Sequence, residues 1–299
     1  MDVGKGKLIV YDKVMVNAHL VLPTEKKAKI LTTRDAWIPK VVNALLEGET
    51  ALLPCGIGAY VLVGAISVSR NNQLDRKVAE LINTQKGRAK DKPLAFDIPP
   101  IEIPDWVEVP YQIQIEKIIN SIMAKPFGIL VPASSSIPHW LSVEDKVHGI
   151  REKLFVWADP NEEGPLADLY QYVRDEKGLE SWDFSLIATS GNLHGMPNNN
   201  RFIKAYEQLG DKDGLAYAIY DFNEGGLYSD KPTTIFSALP FIRGGEKVHV
   251  KRLGSLSKEE LSSILPQAHL LSTLESKWYD FHHRTRTLLQ KFPKSKQKQ

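Results

Sequence analysis

The residues of this chain best equipped for chemistry are cations on one tight segment and small polar groups on a distant turn. Lys86-Gly87-Arg88-Ala89-Lys90-Asp91-Lys92 carries five ionisable side chains and runs into Pro93-Leu94. Gly87 permits Lys86 and Arg88 to project from a single short bend. Arginine supplies a planar fork for bidentate contacts and lysine a point charge, so the pair suits phosphate and carboxylate groups. Far along the chain, Thr189-Ser190-Gly191-Asn192 offers a hydroxyl and an amide from one side of a turn, separated by one small residue. Such a set neutralises a triphosphate and holds an acyl phosphate without a covalent intermediate. Catalysis would then be positioning plus charge stabilisation. Lys86, Arg88, Ser190 and Asn192 are the candidate catalytic residues.

Other chemistries find less support. No phosphate-binding Gly-x-x-x-x-Gly-Lys-Ser/Thr, no Gly-x-Gly-x-x-Gly and no nucleophile elbow is present. His282 and His283 are adjacent, and the other histidines lack partners at metal spacing, so no metal site is expected. Cys55 is the one cysteine, which excludes an intramolecular disulfide or a multi-cysteine zinc site and points to a reducing compartment. A net charge of +2 makes no global case for nucleic acid. Locally, the helical pattern of Leu270 to Leu289 carries Trp278, Tyr279, Phe281, His282, His283, Arg284 and Arg286 before a lysine-rich tail. An RNA contact through this tail is one reading, and a packed helix with a solvated end is the other. The N-terminus lacks the apolar core of a signal peptide and no apolar run approaches a membrane span, so a cytoplasmic protein is expected.

The elements that must hold these groups follow from periodicity. Apolar spacing predicts a helix over Arg34 to Glu47, with Thr33 and Asp35 as candidate caps and Pro39 as a point where the regular helix begins. Strands are expected at Lys7 to Leu22, Thr50 to Leu53 and Leu94 to Phe96, and Val61 to Ser69 is a further apolar stretch. More are expected at Phe127 to Val131, Lys153 to Trp157, Phe184 to Ala188, Leu215 to Phe222, Thr233 to Leu239 and Lys247 to Arg252. Asn71 to Gln85, Tyr111 to Ala124, Leu166 to Glu176 and Arg201 to Leu209 read as helices, the first delivering the chain to the basic segment. The proline-punctuated Ile98 to Pro110 is expected to be a connector or edge strand. Ser257 followed by Glu260 is a capping box opening a helix to Leu265.

The order of these pieces resembles the YrdC-like family of threonylcarbamoyl-AMP synthases. A strand ending in Leu-Pro, a glycine loop, a helix, Lys-Gly-Arg, Pro-Leu and a strand lead to Thr-Ser-Gly-Asn, with Gly195 and Pro197 following. Tyr220-Asp221, Thr233-Thr234-Ile235 and Lys251-Arg252-Leu253-Gly254 are similar to later motifs of that family. The resemblance divides the chain into an N-terminal extension over 1–34, a YrdC-like domain over 35–265 and a C-terminal helix with basic tail over 266–299. It implies an α/β fold, a twisted mixed sheet with flanking helices around a concave, positively charged groove. Family members condense threonine, bicarbonate and ATP, with magnesium, into threonylcarbamoyl-AMP and pyrophosphate. A partner then passes the threonylcarbamoyl group to adenosine in tRNA.

Position by position, Lys86 and Arg88 match the family's Lys-x-Arg, and Ser190 and Asn192 match its Ser-x-Asn. Thr234 and Arg252 fall where the family contacts nucleotide. The other half of the pattern departs. The family's Pro-Thr-Asp/Glu-Thr-x-Tyr-Gly-Leu stands here as Pro54-Cys55-Gly56-Ile57-Gly58-Ala59-Tyr60-Val61, without either threonine or the acid. Its Gly-Pro-x-Thr stands as Lys125-Pro126-Phe127-Gly128, and Trp157 takes the place of a strand arginine. The resemblance thus implies a nucleotide site at Lys86, Arg88, Ser190, Asn192, Thr234 and Arg252. It also implies an altered amino-acid or acyl pocket at Cys55, Gly56, Ile57, Tyr60, Gly128 and Trp157. Two expectations follow: a nucleotidyltransferase with a changed amino-acid or carboxylate substrate, or a non-catalytic nucleotide- or RNA-binding module that keeps the groove.

Overall fold

The computed structural model describes residues 28–56, 58–69, 73–145, 149–159, 163–196, 198–221, 233–239, 248–264 and 268–270. The strands expected within 7–22, Ile57, Pro197, the aromatic-basic helix beyond Leu270 and the lysine-rich tail lie outside these residues. The strands are β1 (Lys29–Thr32), β2 (Thr50–Pro54), β3 (Tyr60–Ile66), β4 (Ala95–Asp97), β5 (Phe127–Pro132) and β6 (Val143–Asp145). They continue with β7 (Ile150–Trp157), β8 (Ser185–Ser190), β9 (Leu215–Tyr220), β10 (Ile235–Ser237), β11 (Val248–Arg252) and β12 (Ala268–Leu270). All join one mixed sheet in the order β1-β9-β2-β3-β8-β4-β7-β5-β10-β11-β12, with β6 on β7. The sheet takes in β1 and β12, so it reaches past both ends of the span 35–265.

Helices α1 (Trp37–Leu46), α2 (Gln73–Gln85), α3 (Gln112–Ile122), α4 (Pro165–Lys177), α5 (Phe202–Leu209) and α6 (Lys258–Ile264) flank it. Pro39 does not delay α1, because in the first turn the missing N–H has no intrahelical partner to lose. Neither candidate cap serves as expected. The α1 cap position is Ala36, and the Asp35 carboxylate instead accepts the Thr32 N–H and hydroxyl at 2.7 and 2.8 Å. The capping box does form: Ser257 N–H donates to Glu260 Oε2 at 2.9 Å and Glu260 N–H to Ser257 Oγ at 3.1 Å. α4 opens with Pro165 and closes at Gly178, whose φ of 61° is the left-handed conformation a glycine takes at no steric cost. The segment read as a connector or edge strand instead folds into two 3-10 helices, Pro100–Trp106 and Val109–Tyr111. Prolines sit in the first turn of each, where the fixed φ favours a helical start over a ladder that needs N–H donors.

The sheet has two unlike faces, because successive side chains point to opposite sides. One carries Phe96, Phe155, Ile129 and Phe127, all with no exposure, and buries the Trp106 ring 5.2 Å from that of Phe96. Gly64 lies on this face in register with Ile187, and a Cβ there would collide with Val78 and sit 3.1 Å from Ile82, both on α2. The missing side chain lets α2 pack close to β3, which in turn sets where its C-terminal end releases Lys86 and Arg88. The other face is partly open: Val61, Ser190, Ala95, Leu154, Val156, Leu130 and Ile235 are all half-buried. It is the face on which the resemblance places the groove.

We expect Gly64→Val to force α2 off β3 and to lower stability by about 1–3 kcal/mol, the usual cost of overpacking. Urea unfolding monitored by circular dichroism measures it, and an unchanged midpoint would show that α2 does not depend on this contact.

Candidate functional site

Lys86 leaves the C-terminal end of α2 and is 3% exposed. Its Nζ donates to the Ser190 carbonyl at 2.5 Å, and to Ser190 Oγ and Asn192 Oδ1 at 3.3 Å each. The two segments singled out from the sequence therefore meet through one ammonium. Gly87, at a φ of 67°, turns the chain so that Arg88 N–H returns to the Asn83 carbonyl at 3.0 Å. Asn83 holds the whole bend. Its Oδ1 accepts Arg88 Nε at 2.5 Å and its amide donates to the Lys90 and Lys92 carbonyls at 2.8 Å. Arg88 Nη2 is buried with no hydrogen-bond partner.

The turn after β8 is equally constrained. Gly191 N–H donates to the Tyr60 carbonyl at 2.7 Å, and a Cβ on Gly191 would meet that carbonyl oxygen at 2.8 Å. Asn199 Nδ2 holds the Gly191 carbonyl at 2.7 Å, and Asn192 Nδ2 donates to the Leu193 and Met196 carbonyls at 3.0 and 2.5 Å. Asn192 is thus fixed by its amide donors while its oxygen faces Lys86.

Burial depresses the basicity of both cations. Desolvation, then the charges of Arg88 and Lys92, bring Lys86 from 10.5 to about 7. Desolvation lowers Arg88 from its ordinary guanidinium value to about 10. Among the described residues neither has a carboxylate within ion-pair distance. Two desolvated cations without a counter-ion, one with an unused buried donor, make a place where an anion is stabilised.

The other expected nucleotide contacts sit apart from these. Thr234 is fully buried, and its hydroxyl accepts the Gly254 and Leu256 N–H groups at 3.0 Å, tying β10 to the loop after β11. Arg252 stands opposite Ile235 and donates from Nε and Nη2 to the Thr233 carbonyl at 3.0 and 2.8 Å.

The expected acyl pocket divides between the two faces. Gly128 lies on the groove floor, where a Cβ would be 3.1 Å from Ile235, 3.4 Å from Val156 and 3.6 Å from Leu154. Trp157 does not lie there: it follows Val156 and is buried on the core face with Phe127 and Phe155. Strand alternation makes Val156 the groove-facing residue of that pair. Tyr60 is also in the core, its ring 5.8 Å from Phe202 and its hydroxyl accepting the Asp221 N–H at 3.3 Å. Cys55 is buried in the β2–β3 turn, its thiol 3.3 Å from the Ala59 carbonyl. Gly56 donates its N–H to Asp159 Oδ1 at 2.5 Å.

Asp159 was not visible as a site residue in the sequence. It is fully buried, and its other oxygen accepts the Leu166 and Ala167 N–H groups at 2.7 and 3.0 Å, so it caps α4 while holding the β2–β3 turn. An aspartate a few residues before Pro165 is a recognisable helix-start signal, but its second partner is distant in the chain. Desolvation outweighs these three bonds and raises its pKa from 3.8 to about 6, with Asp168 adding to the rise. Asn83 and Asn199 were missed for the same reason, since they hold backbone groups and leave no spacing pattern.

Solved structures share this fold. A variant of P. abyssi Sua5 superposes with a TM-score of 0.58 at 20% identity, over 81% of this chain and 66% of that one. P. abyssi Sua5 complexed with L-threonine gives 0.57 at 18% identity, over 82% and 62%. E. coli YciO gives 0.50 at 14% identity, over 71% and 90%. The chain spans just under two thirds of the length of the Sua5 structures. No protein-family model and no curated protein sequence matches it. The likeness establishes the YrdC-like α/β fold expected from the motifs. Among the described residues, no helix is long and apolar enough to cross a membrane.

A carboxyl whose folded pKa is raised adds stability at low pH that is lost as pH climbs through the folded value. Relative to Asp159→Asn, the wild type should lose up to about 3 kcal/mol between pH ~4 and pH ~6 and then level off. Denaturant unfolding of both proteins across that range measures this. A difference independent of pH would show that Asp159 does not titrate there.

Proposed function

We propose that the groove binds a nucleoside triphosphate at its Lys86, Arg88, Ser190 and Asn192 end and uses it to make a carbamoyl-adenylate from an amino acid and bicarbonate. The observation that carries this reading is the pair of desolvated cations lacking an acidic partner, with Arg88 Nη2 buried and unpaired. The shared fold supports it, and L-threonine is bound in a P. abyssi Sua5 structure. In this reaction the amino nitrogen bonds to the carbon of bicarbonate with loss of water. A carbamate oxygen then bonds to the α-phosphorus as the bond to pyrophosphate breaks.

The residues' contributions follow from their geometry. Arg88 brings an unused donor to phosphate oxygens, and Lys86 brings a positive charge held at a fixed point by three acceptors. Ser190 and Asn192 orient that ammonium and add a hydroxyl on the groove side. Arg252 adds a cation on the far strand, β11. Among the described residues no group of three acidic, histidine or cysteine side chains gathers for a metal. Magnesium would come bound to the nucleotide's phosphates.

A second reading, a nucleotide- or RNA-binding module without turnover, is favoured by the β2–β3 turn. Cys55 and Tyr60 are buried there, and the sequence offers no hydroxyl between Pro54 and Ala59. Incubation with ATP, bicarbonate and each amino acid, followed for pyrophosphate and acyl-adenylate by mass spectrometry, separates the two. Turnover is expected, whereas ATP or RNA binding without any product would establish the module.

Arg88→Ala and Asn192→Ala should each weaken ATP binding, by about ten- to a hundredfold for the arginine. Unchanged affinity in both variants would remove the site. Because an anion prefers the ammonium form of Lys86, ATP affinity should fall as pH rises through about 7. Calorimetric titration between pH ~6 and ~8.5 checks this, and Lys86→Met should flatten the profile.

A further inference from the structure

The bend that carries Lys86 and Arg88 is a helix C-terminal cap built on the last turn of α2. Gly87 N–H donates to the Thr84 carbonyl at 2.9 Å and Arg88 N–H to the Asn83 carbonyl at 3.0 Å, with Gly87 left-handed at a φ of 67°. These are the two bonds of the Schellman motif, in which Lys86 closes the helix, Gly87 follows and Arg88 stands next. The motif fixes the backbone of Arg88 by itself. In such caps the residue after the glycine usually makes an apolar contact with a side chain of the last helical turn, and at that position this chain has Asn83. Asn83 is 1% exposed, and its contact with Arg88 is polar: Oδ1 accepts Arg88 Nε at 2.5 Å.

Both ends of the Asn83 amide are engaged. Its nitrogen donates to the Lys90 and Lys92 carbonyls at 2.8 Å each, and the reverse orientation would set a donor against Arg88 Nε and an acceptor against two carbonyls. One side chain therefore fixes the plane of the guanidinium and the course of the loop that follows it. It does so without charge. Aspartate has the same shape and would also accept Nε, but it would neutralise Arg88 and turn an oxygen toward both carbonyls. The neutral amide leaves the Arg88 charge uncompensated and Nη2 buried without a partner. Lys86 is held in the same way, its ammonium fixed by uncharged acceptors on Ser190 and Asn192.

We propose that Asn83 is the positioning residue of the anion site, a neutral clamp that orients Arg88 for phosphate oxygens and keeps its charge unpaired for them. This rests on the assignment of Arg88 to phosphate given above, and adds the residue that makes the arginine competent. A planar fork binds phosphate best when its plane is already set, so a freely rotating Arg88 loses affinity. A paired Arg88 loses more, because the anion must then compete with a carboxylate. The two effects can be separated. Asn83→Ala frees the guanidinium, whereas Asn83→Asp keeps its anchor and cancels its charge. Both variants lose the bonds to the Lys90 and Lys92 carbonyls, so the difference between them isolates the charge.

The test is calorimetric titration of the full chain with ATP and with inorganic pyrophosphate, for wild type, Asn83→Ala, Asn83→Asp, Arg88→Ala and the double variant Asn83→Ala/Arg88→Ala. Asn83→Ala should weaken both ligands about tenfold and Asn83→Asp about a hundredfold, the latter with an affinity that falls less steeply as salt rises. The double variant should bind as Arg88→Ala does, because Asn83 acts through the arginine. Equal losses in Asn83→Ala and Asn83→Asp, which a purely structural role would give, overturn the assignment. So do losses that add in the double variant. If Arg88→Ala binds both ligands as the wild type does, the phosphate assignment itself has failed and the inference falls with it. A weakened Arg88→Ala beside an unaffected Asn83→Ala rejects the inference alone. Spectra of the wild type with isotope-labelled arginine decide the clamp even where variants misfold: the Arg88 Nε–H should exchange slowly with solvent in the free protein, and rapid exchange overturns the proposal.

Discussion

The Lys86 ammonium is the contact on which the site depends. It joins the end of α2 to the end of β8 through the Ser190 carbonyl, the Ser190 hydroxyl and the Asn192 amide oxygen. None of these acceptors is charged, so the cation is held without being neutralised. Its burial makes the held charge costly, so an anion brought to it would offset that cost. Everything around it keeps that geometry: Gly64 brings α2 down onto β3, Gly191 lets the turn approach the Tyr60 carbonyl, and Asn83 and Asn199 fix the two backbones.

A second constraint is the division of the sheet into a core face and a groove face. The core face packs aromatic rings, Phe96 with Trp106 and Phe155, and closes the sheet on that side. The other face is half-buried at Val61, Ser190, Ala95, Leu154 and Val156. The hairpin of β2 and β3 bends back onto the end of β7, where Asp159 takes the Gly56 N–H. One buried carboxyl thereby links the turn above the groove to the start of α4, and its elevated pKa makes that link sensitive to mildly acidic pH.

Much of the architecture was legible because local pattern and tertiary packing agree. The apolar spacing of Val78 and Ile82 announces a helix, and the same residues meet Gly64. Ser257 and Glu260 satisfy each other within one turn, so no distant partner is required. The segment Ile98 to Pro110 shows where the local pattern was ambiguous. Prolines exclude a central strand and an α-helix interior, but they leave both an extended connector and a 3-10 turn open, and packing of Trp106 and Ile103 into the core selects the turn.

By itself, the sequence determined which side chains could meet an anion, since Lys86, Arg88, Ser190 and Asn192 are chemically suited by type and stand beside glycines that permit tight bends. It also determined that the loop from Pro54 to Ala59 lacks hydroxyls and acids. Only the tertiary structure decided which face each strand residue serves. Trp157 and Val156 are neighbours in the chain, yet one is core and the other groove, because a single step along a strand reverses the side chain. The same holds for Asp97 and Asp159: as letters they are ordinary aspartates, and their burial, one unpaired and one triply bonded, arises from elements far apart in the chain.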